Sequence, residues 1–471
     1  MLFNSGEFLR FFAAFLLLYW LVRSNLRARN ILILAASYVF YGAWNYKFLV
    51  LIWASTLLDF FIGVALPRAS TPSRRRWLLI GSIGGNLSIL GFFKYYNFFA
   101  ESLADMGERL GWTFHPGMLE VALPIGISFY TFQTLSYMID VYRGTLKPTR
   151  NVIDFAAYVA FFPQLVAGPI ERARHLLPQF STTRRITSAM VGEGVWLCIW
   201  GMFKKVVVAD NLAPLVDLVY APSAAVGAGD VLLGTAAFGL QIYCDFSGYS
   251  DLARGLACLL GFDIMVNFDR PYGARNIRQF WQRWHISLSS WLRDYLYISL
   301  GGNRRGALKT ARNLFLTMVL GGLWHGAAWH FVLWGAYHGT GLVLQRLWSQ
   351  RFASRPAIPS PLKSFAWWTV TMAFVMYGWL LFRATSWDQI ATLTHSTFSM
   401  DGSPWTLPLS VNLVVFSLPL VLMEIWQSRA KDRVVVMKLG HVSRGFLQAA
   451  MILAIVMYWG RAEKPFIYFQ F

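Results

Sequence analysis

Residues 313–345 read NLFLTMVLGGLWHGAAWHFVLWGAYHGTGLVLQ, thirty-three positions without one Asp, Glu, Lys or Arg. Arg312 stands before the run, and Arg346, Arg351 and Arg355 follow it. Basic residues gather on the inner side of a bilayer, so an apolar run bounded by arginines at both ends enters the membrane and comes back. Thirty-three helical residues reach only about 50 Å, whereas two complete crossings need about 40 residues. The segment is therefore expected to turn at membrane depth, and Gly321-Gly322, with Gly326 following, is its weakest helical point. Irregular backbone at that depth is tolerated only where it lines a cavity or is buried in protein. His325 falls in this turn.

The remainder of the chain agrees with a bilayer as its solvent. Of 471 residues 56% are hydrophobic, 17% aromatic and 14% charged, against about 25% charged in a soluble domain. Mean hydropathy is +0.45, and 21 Trp, 38 Phe and 20 Tyr demand burial or lipid, which excludes a disordered chain. The formal charge is +19. In a soluble protein that excess suggests nucleic acid. Here the basic residues sit in short loops between apolar runs, so it reads as the positive-inside bias of a multi-span protein. Cys198, Cys244 and Cys258 are odd in number and lie in apolar runs, so no disulfide framework is expected.

Loop charge gives the topology. Phe8 to Val22 lacks the basic flank and small-residue cleavage site of a signal peptide, and reads as a first span with its N-terminus outside. Arg23, Arg27 and Arg29 mark an inner loop, Asn45 to Lys47 an outer turn, and Arg68 with Arg74 to Arg76 the next inner loop. Asp154 to Ile170, broken by Pro163, Gly168 and Pro169 between basic flanks, fits a re-entrant segment. Ala189 to Val208 crosses outward and Val231 to Leu260 crosses back. The stretch from Arg270 to Arg312 carries nine basic residues and forms the cytoplasmic centre. Phe365 to Leu381, Pro408 to Trp426 and Phe446 to Tyr458 follow, which leaves the 461–471 tail outside. The expectation is an all-α polytopic membrane protein of roughly ten to twelve spans with re-entrant and in-plane helices. It reads as one domain over 1–471 with its motif-rich core at 121–345. No internal repeat is visible, which weighs against repeat-built transporters.

Ionisable residues within such a chain are functional candidates because each is costly in lipid. Asp245 and Asp251 lie in one apolar run, six residues apart and so on different helix faces; capping or pairing with Arg254 is the structural alternative. His285 and His325 stand in Trp-His pairs, the other reading being hydrogen-bonded core histidines; His330 and His338 read as structural. His325 and His330 are five apart, and no HExxH, nucleotide-cradling loop or GxSxG elbow is present, so a metal site, ATP hydrolysis and a serine hydrolase are not suggested.

Six motifs carry a resemblance: FFPQLVAGPI at 161–170, YCDFSGYSD at 243–251, FWQRWHISLS at 280–289, DYLYISLGGNR at 294–304, GLWHG at 322–326 and PFIYFQF at 465–471. Together they resemble the membrane-bound O-acyltransferases, in particular the bacterial alginate O-acetylation branch. Ser299 departs from that pattern, standing where those proteins usually have Pro before LGGN. The resemblance implies a tunnel-containing enzyme of the bacterial inner membrane, with both termini periplasmic. It would take acetyl from acetyl-CoA on the cytoplasmic side and deliver it for O-acetylation of an exported polysaccharide such as alginate. Cellulose or peptidoglycan acetylation and teichoic acid D-alanylation are alternatives within the family, and a polymer exporter or channel is the non-enzyme alternative.

By the same resemblance His325 matches the catalytic histidine and His285 its second histidine. A His of near-neutral pKa in a water-poor pocket suits thioester-to-hydroxyl transfer. Asn303, Arg304 and Arg305 suit a phosphate-bearing donor, with solvated loop charge as the other reading. Trp284, Trp324 and Asp245 complete the candidate substrate contacts. No bound cofactor or metal is implied; periplasmic acetyltransferase-type partners are. Tyr468, the nucleophile of the terminal motif, is a candidate acyl relay, and packing of an aromatic tail into the outer mouth is its alternative.

Overall fold

A computed structural model describes residues 1–112, 116–120, 122–221, 226–352, 360–399, 403, 405–460 and 466–467. Among these residues there are helices and no strands. In order they are α1 (Gly6–Val22), α2 (Leu26–Asn45), α3 (Leu49–Ala65), α4 (Pro72–Leu90), α5 (Tyr96–Arg109), α6 (Ile127–Tyr142), α7 (Val152–Val159), α8 (Phe162–Leu165), α9 (Ala173–Phe180) and α10 (Ser188–Met202). Then come α11 (Asp210–Val219), α12 (Ala228–Leu259), α13 (Ile277–Trp281), α14 (Ile286–Trp291), α15 (Ala307–His325), α16 (Trp329–Arg351), α17 (Pro361–Arg383), α18 (Trp387–Thr397), α19 (Thr406–Ala430) and α20 (His441–Tyr458).

Among the described residues five helical stretches are long and apolar enough to cross a membrane: Leu26–Arg68, Pro72–Arg109, Pro361–Arg383, Thr406–Ala430 and His441–Tyr458. Leu26–Arg68 alone contains α2 and α3, so stretches and crossings are different counts. Lipid-facing helices need starts as clear as those of soluble proteins. Ser5, Asn25, Thr71, Asn151, Ser360 and Ser386 each accept a backbone N–H of the first turn, and Pro72 and Pro361 occupy first helical positions.

The chain forms two compact units, residues 1–191 with 256–265, and residues 192–255 with 266–471. In the first, Phe8, Phe11, Phe15, Phe40 and Phe162 pack ring to ring. The 154–173 segment is buried throughout, and α7, α8 and α9 have eight, four and eight residues, too few to cross. Arg29, read from sequence as a loop charge, is wholly buried: it donates to the carbonyls of Gln179, Phe180 and Thr182, while Asn30 donates to Asp154 at 2.8 Å. Its charge is held by backbone oxygens within protein. A second polar knot joins α3 to α4, where Asp59 accepts from Ser82 at 2.5 Å and from Asn86 at 3.0 and 3.1 Å.

In the second unit α15 and α16 form a tight hairpin, and here the sequence expectation needs correcting. The backbone does not turn at Gly321-Gly322; α15 runs through both glycines and stops at His325, leaving residues 326–328 as the turn. The glycines serve close helix approach instead. A methyl group on Gly322 would lie 2.2 Å from the Phe331 carbonyl oxygen, and one on Gly335 would lie 2.4 Å from that of Met318. The turn is set by Gly326, where a Cβ would sit 2.0 Å from the Phe331 ring.

Candidate active site

The hairpin turn and the polypeptide after Asn267 bring the two histidines together. His325 is the last residue of α15, and His285 immediately precedes α14. Their ring centroids lie 6.5 Å apart, and both side chains are enclosed, His285 at 0% and His325 at 4% exposure. Aromatic rings wall them in: Trp324 is 5.8 Å from His285 and 5.1 Å from His325, Trp334 is 5.1 Å and Phe382 5.4 Å from His325, and Phe246 is 4.6 Å from His285. Such an enclosure excludes water and lowers the local dielectric, which strengthens any charge stabilisation inside it.

His285 adopts the left-handed conformation with φ 43°, a strain of order 1–3 kcal/mol for a residue with a side chain. Asn267 holds it there. The Asn267 Oδ1 atom accepts the backbone N–H of Ser287 at 3.2 Å and the Ser287 hydroxyl at 2.9 Å, and Ile286 donates its N–H to the Asn267 carbonyl at 2.8 Å. An atom that accepts a backbone N–H is the amide oxygen, not the nitrogen. His285 Nδ1 lies 3.1 Å from the same atom, so Nδ1 carries the hydrogen and Nε2 is the basic nitrogen of the neutral ring.

A cavity of about 320 Å³ adjoins the hairpin turn. Gly326, Ala328 and His330 line it on the hairpin side, with Gln241, Phe382 and Ile467 on the others. His330, expected to be structural, thus faces the cavity. His338, read from sequence as structural, packs among Phe280, Trp281, Trp334 and Phe374.

Of the remaining candidates, Trp324 belongs to the histidine enclosure, and Trp284 lies beside it, stacked on Phe280 and 4.7 Å from Trp379. Asn303, Arg304 and Arg305 are exposed in the turn ahead of α15. That turn is built on Gly301 and Gly302, both at positive φ, and is pinned by Asn313, which donates to the carbonyls of Leu300 and Gly302. Ser299 ties back to the Tyr295 carbonyl at 2.8 Å, so the missing Pro is replaced by a hydrogen bond. His325 ends the nineteen-residue helix that the arginine pair precedes, which puts the two about 28 Å apart along the axis. Tyr468 lies outside the described residues. The two residues before it do not: Phe466 packs 5.0 Å from Tyr249 and 5.7 Å from Phe246, and Ile467 donates its N–H to Asp245 Oδ2 at 2.6 Å.

Sequence reasoning missed four charged residues here, Lys204, Lys205, Asp210 and Glu424. Phe203–Ala209 forms a π-helical turn, a feature frequent at functional sites, and it carries Lys204 and Lys205 inward. Lys204 Nζ lies 2.7 Å from Asp251 and 2.9 Å from Ser247; Lys205 Nζ lies 2.7 Å from Asp245 and 2.9 Å from Asp210. Asp251 also has Arg254 at 3.7 Å, the partner expected from sequence. Two adjacent lysines in the apolar 189–208 run, with two aspartates in the next apolar run, were the available signal. Glu424, on α19, accepts the Tyr243 hydroxyl.

The family model of the membrane-bound O-acyltransferases matches residues 147–382, which hold both histidines. The chain belongs to that family. It is 47% identical over 411 residues, 86% of this chain and 79% of the other, to a probable alginate O-acetylase of Azotobacter vinelandii. A peptidoglycan O-acetyltransferase of Helicobacter pylori is 34% identical over 394 residues, 78% of this chain and 73% of that protein. A teichoic acid D-alanyltransferase of Streptococcus thermophilus is 29% identical over 243 residues, 48% and 58% of the two chains. The membrane O-acyltransferase is thus an enzyme, and the exporter or channel alternative falls away.

Proposed function

We propose that this O-acyltransferase takes acetyl from acetyl-CoA on the cytoplasmic side of a bacterial inner membrane and passes it outward for O-acetylation of an exported polysaccharide of the alginate kind. The observation that carries the reading is the pair of enclosed histidines, of which His325 directly precedes Gly326 in the wall of a cavity that Ile467 also lines. The 47% identity to the Azotobacter protein supports the acceptor class. The Helicobacter relative makes peptidoglycan the second reading.

In this reading the whole chain acts as one transmembrane domain with both termini periplasmic. His325 is the general base and His285, with its Nδ1–H fixed, presents Nε2 as the second polar group. His325 takes the phenolic proton of Tyr468 as that oxygen attacks the thioester carbonyl; the carbon–sulfur bond breaks, the proton passes to the leaving thiolate, and an aryl ester forms. An acceptor hydroxyl, held by a periplasmic acetyltransferase-type partner, then attacks the ester and returns the tyrosine. The geometry of residues 466 and 467 supports it, because the next residue follows an atom already at the cavity wall. Arg304, Arg305 and Asn303 would receive the phosphates of the donor, whose long thioester arm suits the length of α15. Trp284 and Trp324 would flank the passage.

Tyr468→Phe keeps the ring and removes only the oxygen. The expected result is loss of polymer acetylation with normal protein accumulation, and an adduct of about 42 Da on the terminal peptide of the parent, an acetyl in place of hydrogen. Wild-type acetylation in the variant would reduce the tail to packing.

A further inference from the structure

The chain after α20 is not held by apolar packing alone. Ile467 N–H donates to Asp245 Oδ2 at 2.6 Å, and the other oxygen of the same carboxylate lies 2.7 Å from Lys205 Nζ, which is itself 2.9 Å from Asp210. Asp245 is 2% exposed, and Lys205 and Asp210 are also buried. Burying a lysine and two aspartates is costly unless they pair. Packing a tail needs no such group, since Phe466 already has Phe246 and Tyr249 for its ring. A bond from a side-chain carboxylate to one backbone N–H does something packing cannot: it fixes the register of the segment, to the residue. A slip by one residue would put Phe466 or position 468 opposite the carboxylate and move every side chain after it.

We infer that Asp245, braced by Lys205 and Asp210, is a register clamp for the segment after α20, setting which residue of the terminal motif stands at the cavity. The role is that of a positioning residue, distinct from contact with the donor. Asp210 holds Lys205 from a second side, 2.9 Å from its Nζ, and so braces the lysine against Asp245. The inference rests on the reading in which Tyr468 carries acetyl, since that reading says why register matters.

The test uses the full chain in membranes, with a nitroxide on Lys464→Cys in a background lacking the three native cysteines. Asp245→Ala should mobilise the nitroxide and lower polymer acetylation at least tenfold. Asp245→Asn should recover both, because the amide oxygen still accepts the Ile467 N–H while Lys205 keeps Asp210. Ile467→Pro removes the N–H and leaves the three charged residues intact, so it covers the case in which Asp245→Ala does not accumulate; it should reproduce the mobile tail and the loss. An immobile nitroxide in both Asp245→Ala and Ile467→Pro, or loss in Asp245→Asn equal to that in Asp245→Ala, would overturn the clamp. A mobilised tail with full acetylation, alongside full acetylation in Tyr468→Phe, would leave the clamp standing and remove the relay reading instead.

Discussion

The imidazoles of His285 and His325 face each other edge to plane, 6.5 Å between centroids and 61° between planes, with Trp324 against both. That spacing is too wide for a direct hydrogen bond between the rings. His325 closes the helix that feeds the cavity turn, whereas His285 is locked by Asn267. The first is therefore expected to move the proton and the second to orient. His325→Ala should lower polymer acetylation by at least 100-fold, within the span of a general base, and His285→Ala by less, both at normal protein levels. Acetyl release from purified polymer measures it, and near-normal acetylation in His325→Ala would remove that residue from the chemistry.

Asn267 accounts for the tautomer of His285 and for its left-handed backbone at once. Asn267→Ala strips the acceptor from two Ser287 donors and from His285 Nδ1, so the fold should lose about 1–3 kcal/mol. Activity should fall further than that loss explains, because the ring is then free to carry its hydrogen on Nε2. Thermal unfolding in detergent and acetylation by the still-folded fraction separate the two effects; a variant whose activity tracks its folded fraction would reduce Asn267 to scaffolding.

The helices were largely legible from apolar runs and basic loops: 231–260 against α12 at Ala228–Leu259, 408–426 against α19 at Thr406–Ala430. So was the histidine pair, through its motifs. What escaped was pairing at long range. Lys205 and Asp245 are forty residues apart, and Asp245 and Ile467 are 222 apart, so no local pattern links them. The glycines at 321 and 322 misled for a related reason: a glycine that weakens a lone helix also permits contact with a second one, and only the partner helix decides between these.

That decision is open to a direct test. Gly322→Ala places a methyl 2.2 Å from the Phe331 carbonyl oxygen, and both are backbone-bound, so the helices must part. Overpacking of this kind costs about 1–3 kcal/mol, and Gly322→Ala should lower the unfolding temperature and acetylation together. Gly81→Ala, on α4 where a methyl meets nothing within 4 Å, is the control and should change neither. Equal stability of the two variants would mean that the hairpin relaxes without cost.

Arg304 and Arg305 stand about 28 Å from His325 along α15. If they hold the donor phosphates, Arg304→Ala with Arg305→Ala should raise the donor KM at least tenfold and leave kcat within about threefold, because each arginine–phosphate contact contributes about 1.5–3 kcal/mol to binding and none to the distant chemistry. Membranes supplied with acetyl-CoA at varied concentration give both constants. An unchanged KM assigns the pair to the solvated loop.

His175 sets a pH limit on the first unit. Its Nε2 faces Asp263 at 3.4 Å and its Nδ1 faces Glu171 at 2.9 Å, so the hydrogen bonds to Asp263 and then Glu171 raise its pKa to about 10. Both carboxylates belong to the fastening of residues 256–265, where Gln179 also exchanges two hydrogen bonds with the Asp263 backbone. An unfolded histidine titrates near 6.5. The folded state therefore binds the extra proton between about 6.5 and 10. Stabilisation by the imidazolium is complete below the lower value and is lost as pH rises through the upper one. His175→Gln cannot gain the proton, so the advantage of the parent over this variant in thermal unfolding should be largest at pH 6 and should shrink steadily to pH 10. A difference that stays constant over that range would show that His175 contributes shape and hydrogen bonds but no charge.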